Sequence, residues 1–466
     1  MSKLLTRAVM APRPPRRRPL TRPFLLAVAF CAFIYYFLLS DNSSNRYGRG
    51  TNTRSSPKVF GAVSLATLDD LGLTEKECRD TFPGLMDEID RAVANGPFDV
   101  NVENSKALIG TVRGGDLYIR RPPGKGQLSR HMKERQLAAL HQIYRAITSS
   151  PTPLPNITFS LSIHDSPIAK SFVYARPGHA HSSSTYSTSK AHSFPMPHFS
   201  AWSWALPFLN SLPAASSTIT NLESTLPFSK KDSRAVWRGT PWFSNPLGPN
   251  PNLRQDLVRV ASPSKVSSWA DVQSLNWTTN SASAANGLPI QDFCRYKYII
   301  HTEGVSYSGR FSFHRMCRSV ILTPPLEWFE PTTHLLRPVY STVLLRGRSS
   351  LEREIKENPR AYPSERTREV WPADIGPETA NIVFVKPDWS DLKQTVAWLE
   401  DHPEVAEGIA ARQRDQFVGG GYVSKAAETC YWRSLLKGWN EVARVDASGL
   451  PDGVAFEEFI LRPEAS

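Results

Sequence analysis

Three stretches of the 466-residue chain carry side chains of types and spacing suited to moving a proton or holding an anion. In the first, an apolar strand pattern over residues 157–163 runs into His164, Asp165, Ser166 and Pro167. A carboxylate at the end of a buried strand, followed by a proline-terminated turn, is well placed for chemistry in an α/β fold; a turn-forming aspartate is the plainer reading. In the second, residues 230–240 (KKDSRAVWRGT) read as a strand ending in Arg238, Gly239 and Thr240. Such an end can present a guanidinium beside small residues that leave room for a ligand, or else a surface salt bridge.

The third stretch, residues 294–324 (CRYKYIIHTEGVSYSGRFSFHRMCRSVILTP), is the richest. It begins as a strand with Tyr296, Tyr298, Ile299 and Ile300, then turns through Gly304, Ser306, Ser308 and Gly309. A helix-like pattern follows (Phe311, Phe313, Met316, Cys317), and a second apolar strand covers 319–322. Strand, turn, helix, strand is a βαβ unit, whose turn lies at a strand's carboxyl end and a helix start, a setting that favours phosphate. Arg310 occupies that turn.

Elements able to position these groups require a sizeable core, and 40% apolar with 10% aromatic residues supplies one for two or three domains. The net charge of +12 resembles a nucleic-acid signature until it is located. Ten of those charges arise from residues 1–23 and 41–58, so the remainder is near neutral and no nucleic-acid partner is expected. Behind the basic segment, residues 24–39 (FLLAVAFCAFIYYFLL) form an uncharged apolar run. A run of that length suits an uncleaved signal anchor in a thin bilayer, a cleaved signal peptide being the alternative. With basic residues cytoplasmic, the expectation is a single-pass type II protein of the Golgi or endoplasmic reticulum membrane, its folded part lumenal.

The rest of the chain reads as alternating elements. Helical spacing runs over 68–94, and strands over 100–120 turn at Gly114 and Gly115. A helix is expected over 125–147, broken by the proline-rich 149–156. Residues 178–192 read as a Ser-, Thr- and His-rich loop without metal spacing; the aromatics of 194–204 suit either a core or a sugar-gripping surface. Residues 205–229 read as a surface connection and 345–379 as an insertion with little regular structure. A strand over 382–385 and helices over 388–399, 403–417 and 429–442 close the chain. Cys31 falls in the anchor, leaving Cys78, Cys294, Cys317 and Cys430 with three possible pairings in an oxidising lumen. Sequons stand at Asn42, Asn156 and Asn276, and no CxxC or His/Cys cluster argues for a metal.

Taken in order, the segments SIHD, FPMPHFSAWSW, AVWRGT, YKYIIHTEGVSYSGRFSFHRMCRSVI, LEWFEPTTHLL, NIVFVKPDWSDL and AETCYWRSLLKGW resemble glycosyltransferase family 90. That group contains fungal capsule-associated xylosyltransferases and animal protein O-glucosyltransferases, and the likeness covers most of residues 75–440. The resemblance implies an α/β fold of the GT-B type, two Rossmann-like domains facing across a cleft. The organisation would be a cytoplasmic tail (1–23), transmembrane anchor (24–40), stem (41–66), base and acceptor domain (67–229), nucleotide-sugar domain (230–445) and tail (446–466).

It further implies an inverting transfer from a UDP-sugar, UDP-xylose or UDP-glucose, to a hydroxyl of a glycan, glycolipid or protein. Asp165 would be the catalytic base. Arg238, flanked by Gly239 and Thr240, would contact the donor phosphates, and Ser308 and Arg310 would lie in the nucleotide-sugar site. Tyr307 would stack on or hydrogen-bond the donor, and Trp202 and Trp204 would line the acceptor side. Disulfides Cys294–Cys317 and Cys78–Cys430 are implied as well. The chain has no DxD sequence, which accords with metal-independent turnover and no cofactor beyond the donor. Two other readings stay open: glucose transfer to serine on a protein, and a catalytically silent lumenal scaffold that binds sugar or UDP.

Overall fold

A hairpin starts the first of two six-stranded sheets. Strands β1 (Leu108–Arg113) and β2 (Asp116–Arg121) are joined by Gly114 and Gly115, with φ of 62° and 93°. Two successive left-handed residues make the tight turn whose twist matches paired strands, and glycine adopts it without strain. The computed structural model describes residues 62–178, 192–206, 208–261, 268–278, 283–358 and 362–462. The expected basic tail and anchor, almost all of the stem, and most of the 178–192 loop lie outside these. Among the described residues no helix is long and apolar enough to cross a membrane.

Strand β3 (Ile157–Leu161) pairs antiparallel with β1, and β4 (Ser171–Val173) and β5 (Ser193–Pro195) extend the sheet in parallel. The second sheet contains β6 (Asp232–Gly239), β7 (Ala270–Ser274), β8 (Tyr296–Ile300), β9 (Val320–Thr323), β10 (Pro338–Tyr340) and β11 (Ile382–Phe384). Its order is β10-β11-β9-β8-β6-β7 and every pairing is parallel. Both sheets belong to one compact unit, Val59–Ser466. The α/β class read from the sequence is thus the observed one. The first sheet differs from a doubly wound parallel sheet, because three of its five pairings are antiparallel. The last of these is made by β12 (Val454–Ala455), which brings residues beyond 445 back beside β2.

Strands β9, β10 and β11 of the second sheet are buried along their whole length. That explains their continuous apolar character, which parallel strands covered by helices on both sides require. Because β7 lies on one side of β6 while β8 and β9 lie on the other, the winding reverses between β6 and β8. A reversal of this kind leaves a crevice beyond the carboxyl ends of the two strands, the common ligand site of open α/β sheets.

Three sequence expectations need correction. Residues 205–229 contain a helix, Leu212–Thr225, started by the Ser211 hydroxyl and a proline in its first turn. Only Leu212, Ala215 and Ile219 are buried along it, so its Ser- and Thr-rich face hid the periodicity. Residues 345–379 likewise contain helices, with Ser341–Arg346 running into the stretch, then Arg348–Glu357 and Glu365–Val370. Leu351 is the sole buried residue of the middle helix, too few to leave an apolar stripe. Finally, the helix of the βαβ unit is one turn, Phe311–His314, so a helix dipole contributes little there.

Both disulfides implied by the resemblance are formed. Cys294–Cys317 lies within a cluster that includes Ile219, Val236, Phe293 and Met316. Cys78–Cys430 spans 352 residues and anchors helix Lys425–Val442. That helix is buried along most of its length and covers the first sheet: the Trp439 ring meets Phe172 edge-on at 4.9 Å, and the Trp432 indole donates to Gln142 at 2.9 Å.

Candidate active site

Beyond the carboxyl ends of β6 and β8 lies a cavity of about 510 Å³. Asp165, Arg238, Gly239, Thr240, Tyr307, Ser308 and Arg310 all line it, so the expected base and the expected donor-site residues meet at one place. Trp204 also lines the cavity. Trp202 does not; its ring stacks on His141 at 4.7 Å with the Arg145 guanidinium over it, so the expected acceptor-side role is corrected for this residue.

Backbone geometry concentrates positive charge on the second-sheet side. Gly309 is required for the close approach of the turn to the first-sheet region, since a Cβ there would lie 2.4 Å from the His198 ring. The next residue, Arg310, caps the one-turn helix and donates through Nη1 to the Arg238 carbonyl. Among the described residues its guanidinium has no carboxylate ion-pair partner, and burial draws its pKa down to about 10. Arg254 is a second such group. Its guanidinium donates to the carbonyls of Glu303 at 2.8 Å and Thr240 at 3.1 Å, fastening the chain after β8 to the end of β6. Burial, and then the neighbouring Arg310 charge, bring Arg254 down to about 9. Two guanidinium groups held by carbonyls, each disfavouring the other, are what an incoming polyanion would relieve.

Arg238 differs. It is neutralised by Asp271, 2.9 Å away, whose carboxylate also accepts from the Tyr296 hydroxyl at 2.7 Å. Its Nε is buried without a partner and it still faces the cavity.

The opposite wall comes from the first sheet. Asp165 follows β3, and its side chain is 53% exposed. Arg135, from helix Arg130–Thr148, pairs with it through Nη1–Oδ1 at 3.1 Å while lying over the Phe199 ring. Burial, followed by the nearby Asp165 charge, holds the Tyr307 phenol well above its usual range, so Tyr307 is a neutral hydrogen-bonding group. A half-exposed carboxylate and guanidinium groups thus line one cavity of about 510 Å³.

Sequence reasoning missed Arg254 and Arg135. Arg254 had left a trace: a cation in the first turn of helix Leu253–Ala261 opposes the helix dipole and needs another reason to be there. Arg135 had left none, since an arginine on an amphipathic helix is ordinarily solvated.

Behind the cavity, Glu303 accepts from Asn245 Nδ2 at 2.7 Å and the Trp328 N–H at 2.9 Å. Burial raises its pKa well above normal, and raises Glu327, Glu330 and Glu428 each to about 7. Half-buried His198 and buried His301 and His314 are pushed well below their usual value, removal from water again being the main cause. The signs oppose. Carboxyl groups raised by folding bind more protons in the native state, so stability falls as pH rises through about 7. Histidines depressed by folding bind fewer, so stability falls as pH drops below 6.5. Below about pH 6.5 the two slopes oppose each other, whereas above it only the carboxyl groups act, so the thermal midpoint is expected to fall as pH rises from about 6.5 to 7.5. Differential scanning fluorimetry checks this: Glu330→Gln should flatten the decline up to about pH 7, and a wild-type midpoint that rises between about pH 6.5 and 7.5 would refute it.

The described residues contain one grouping of potential metal ligands, Glu223 with Cys294 and Cys317. Both sulfurs belong to the disulfide and offer no thiolate, so this grouping is not a metal centre.

Residues 117–358 match the model of a family described as Glycosyl transferase family 90. Among curated proteins, the chain is 24% identical over 217 residues to human Protein O-glucosyltransferase 1, covering 46% of this chain and 43% of that protein. The Bos taurus Protein O-glucosyltransferase 1 is 25% identical, covering 45% and 42%. An O-glucosyltransferase rumi homolog of Anopheles gambiae is 22% identical, covering 36% and 32%. The chain thus spans less than half the length of the curated relatives it matches.

Proposed function

This chain belongs to glycosyl transferase family 90, and from that premise we propose that it is an inverting, UDP-sugar-dependent transferase working in the secretory lumen. One observation carries the reading: residues from segments as far apart as Asp165 and Arg310 line one cavity, a carboxylate on one wall and guanidinium groups on the other. In the proposed reaction Asp165 takes the proton of the acceptor hydroxyl. The acceptor oxygen forms a bond to the anomeric carbon as that carbon's bond to the diphosphate breaks, inverting its configuration. The electron pair leaves on UDP, whose charge is received by Arg310 and Arg254, with Arg238 at the edge. These cations take the place a metal ion holds in other transferases, so turnover is proposed to be metal-independent with no cofactor. Tyr307 and Ser308 orient the donor.

The two sheets are proposed to act as the halves of a GT-B arrangement, donor on β6–β11 and acceptor on β1–β5. Two disulfides support an oxidising compartment. With the apolar run 24–39 they support a type II protein anchored in the Golgi or endoplasmic reticulum membrane, with no role for nucleic acid.

Purified full-length protein should release UDP from UDP-xylose or UDP-glucose in the presence of a glycan, glycolipid or serine-containing protein acceptor, and EDTA should leave the rate unchanged. Loss of activity in EDTA with recovery in Mn²⁺ would refute the arginine-based account of the leaving group. The names of the relatives favour a second reading, glucose transfer to a protein hydroxyl. A donor comparison, scored by transfer to each acceptor class, separates the two.

A further inference from the structure

The base and the arginines stand on different sheets, and a transfer reaction tolerates little play between them. The acceptor oxygen must be within hydrogen-bond reach of one and about 3–3.5 Å from the carbon held by the other. Among the described residues the carboxylate of Asp165 is held from its own side alone, by Arg135. Its backbone carbonyl, however, accepts a hydrogen bond of 2.5 Å from the hydroxyl of Ser306. Ser306 lies in the turn that follows β8, two residues before Ser308 and four before Arg310, and is 1% exposed. The same turn is closed on itself by the Gly304 N–H, which donates to the Ser306 carbonyl at 2.8 Å.

Ser306 therefore uses its main chain to shape the donor turn and its side chain to hold the loop that carries the base. We propose that Ser306 is a positioning residue that sets the distance between base and donor by bonding the Asp165 loop to the donor turn. This rests on the reading of Asp165 as the base. No chemistry is assigned to the serine oxygen: its proton stays in the bond to the carbonyl. Removing the hydroxyl lets the Asp165 loop move relative to the sugar while Arg254 and Arg310 remain in place. The step that depends on the base slows, and the step that depends on the phosphates does not.

The test uses full-length Ser306→Ala, Ser306→Thr and Asp165→Asn proteins, with UDP binding followed by calorimetry and UDP release measured with and without the acceptor that supports transfer in wild type. Ser306→Ala should lower kcat for transfer by about 10–100-fold. Its UDP affinity and donor KM should stay within about twofold, because RT ln 2 is roughly 0.4 kcal/mol, the size of a surface effect. The share of donor lost to hydrolysis should rise, since water is small enough to reach a displaced carboxylate. Ser306→Thr, which keeps the hydroxyl, should recover most of the transfer rate. Unchanged kcat in Ser306→Ala overturns the proposal, as does a loss of UDP affinity matching the loss of kcat, or a threonine variant no better than alanine. Asp165→Asn distinguishes the two levels. If it transfers sugar normally, the base reading itself fails; if it is inactive while Ser306→Ala is normal, only the positioning role fails.

Discussion

Asp165→Asn should reduce sugar transfer by about 10²–10⁴-fold while binding UDP as well as wild type does. The carboxamide has nearly the shape of the carboxylate and can still meet the Arg135 guanidinium through its oxygen, but it cannot take up the acceptor's proton at neutral pH. Because the side chain is 53% exposed and follows a strand instead of filling a core, the fold should be unaffected and the thermal midpoint nearly unchanged. Initial rates of transfer, paired with calorimetric UDP titration, give the answer. Near-normal transfer would remove Asp165 from the role of base.

Arg310→Ala should lower kcat by about 10²–10³-fold, the range seen when one donor to a developing anion is lost from a water-poor site. Here the effect should also reach the ground state, because the guanidinium meets a diphosphate that is already charged. Affinity should fall most for UDP, less for UMP and least for uridine, flattening the gain that each phosphate brings in wild type. Arg310→Lys should restore part of the binding, since it keeps a point charge but loses the planar fork that also donates to the Arg238 carbonyl. A variant that binds the three ligands with the wild-type ladder and turns over normally would show that the phosphates lie elsewhere, Arg254 then being the first candidate.

The second-sheet half of the site was legible because its signals are local. A buried parallel strand needs an unbroken apolar run, and a crevice at its end needs small residues, so β6 with Arg238-Gly239-Thr240 and β8 with its serine and glycine turn stand out in one dimension. The hairpin at Gly114 and Gly115 was readable for the same reason. What could not be read was set by distance in the chain. Arg135 becomes part of the site only because helix Arg130–Thr148 packs where the loop after β3 passes, and Ser306 looked like any turn serine until Asp165 was beside it. Trp202 shows the converse: an aromatic in a sugar-friendly motif was taken up by His141, a neighbour that no pattern in its own segment announced. Helices Leu212–Thr225 and Arg348–Glu357, with three and one buried residues, escaped because amphipathic periodicity fades when little is buried.

The disulfide between Cys78 and Cys430 has a consequence for how the protein is made. The first sheet is covered by helix Lys425–Val442 and completed at its edge by Val454–Ala455, so the part of the molecule synthesised first needs the part synthesised last. At translation speeds of about 5–20 residues per second, the 352 residues separating the two cysteines take roughly 20–70 seconds to emerge. Throughout that interval Cys78 is a thiol without its partner, while Cys294 and Cys317 appear within a few seconds of each other. The native pairing therefore requires that the Cys78 thiol stay uncommitted until helix Lys425–Val442 arrives.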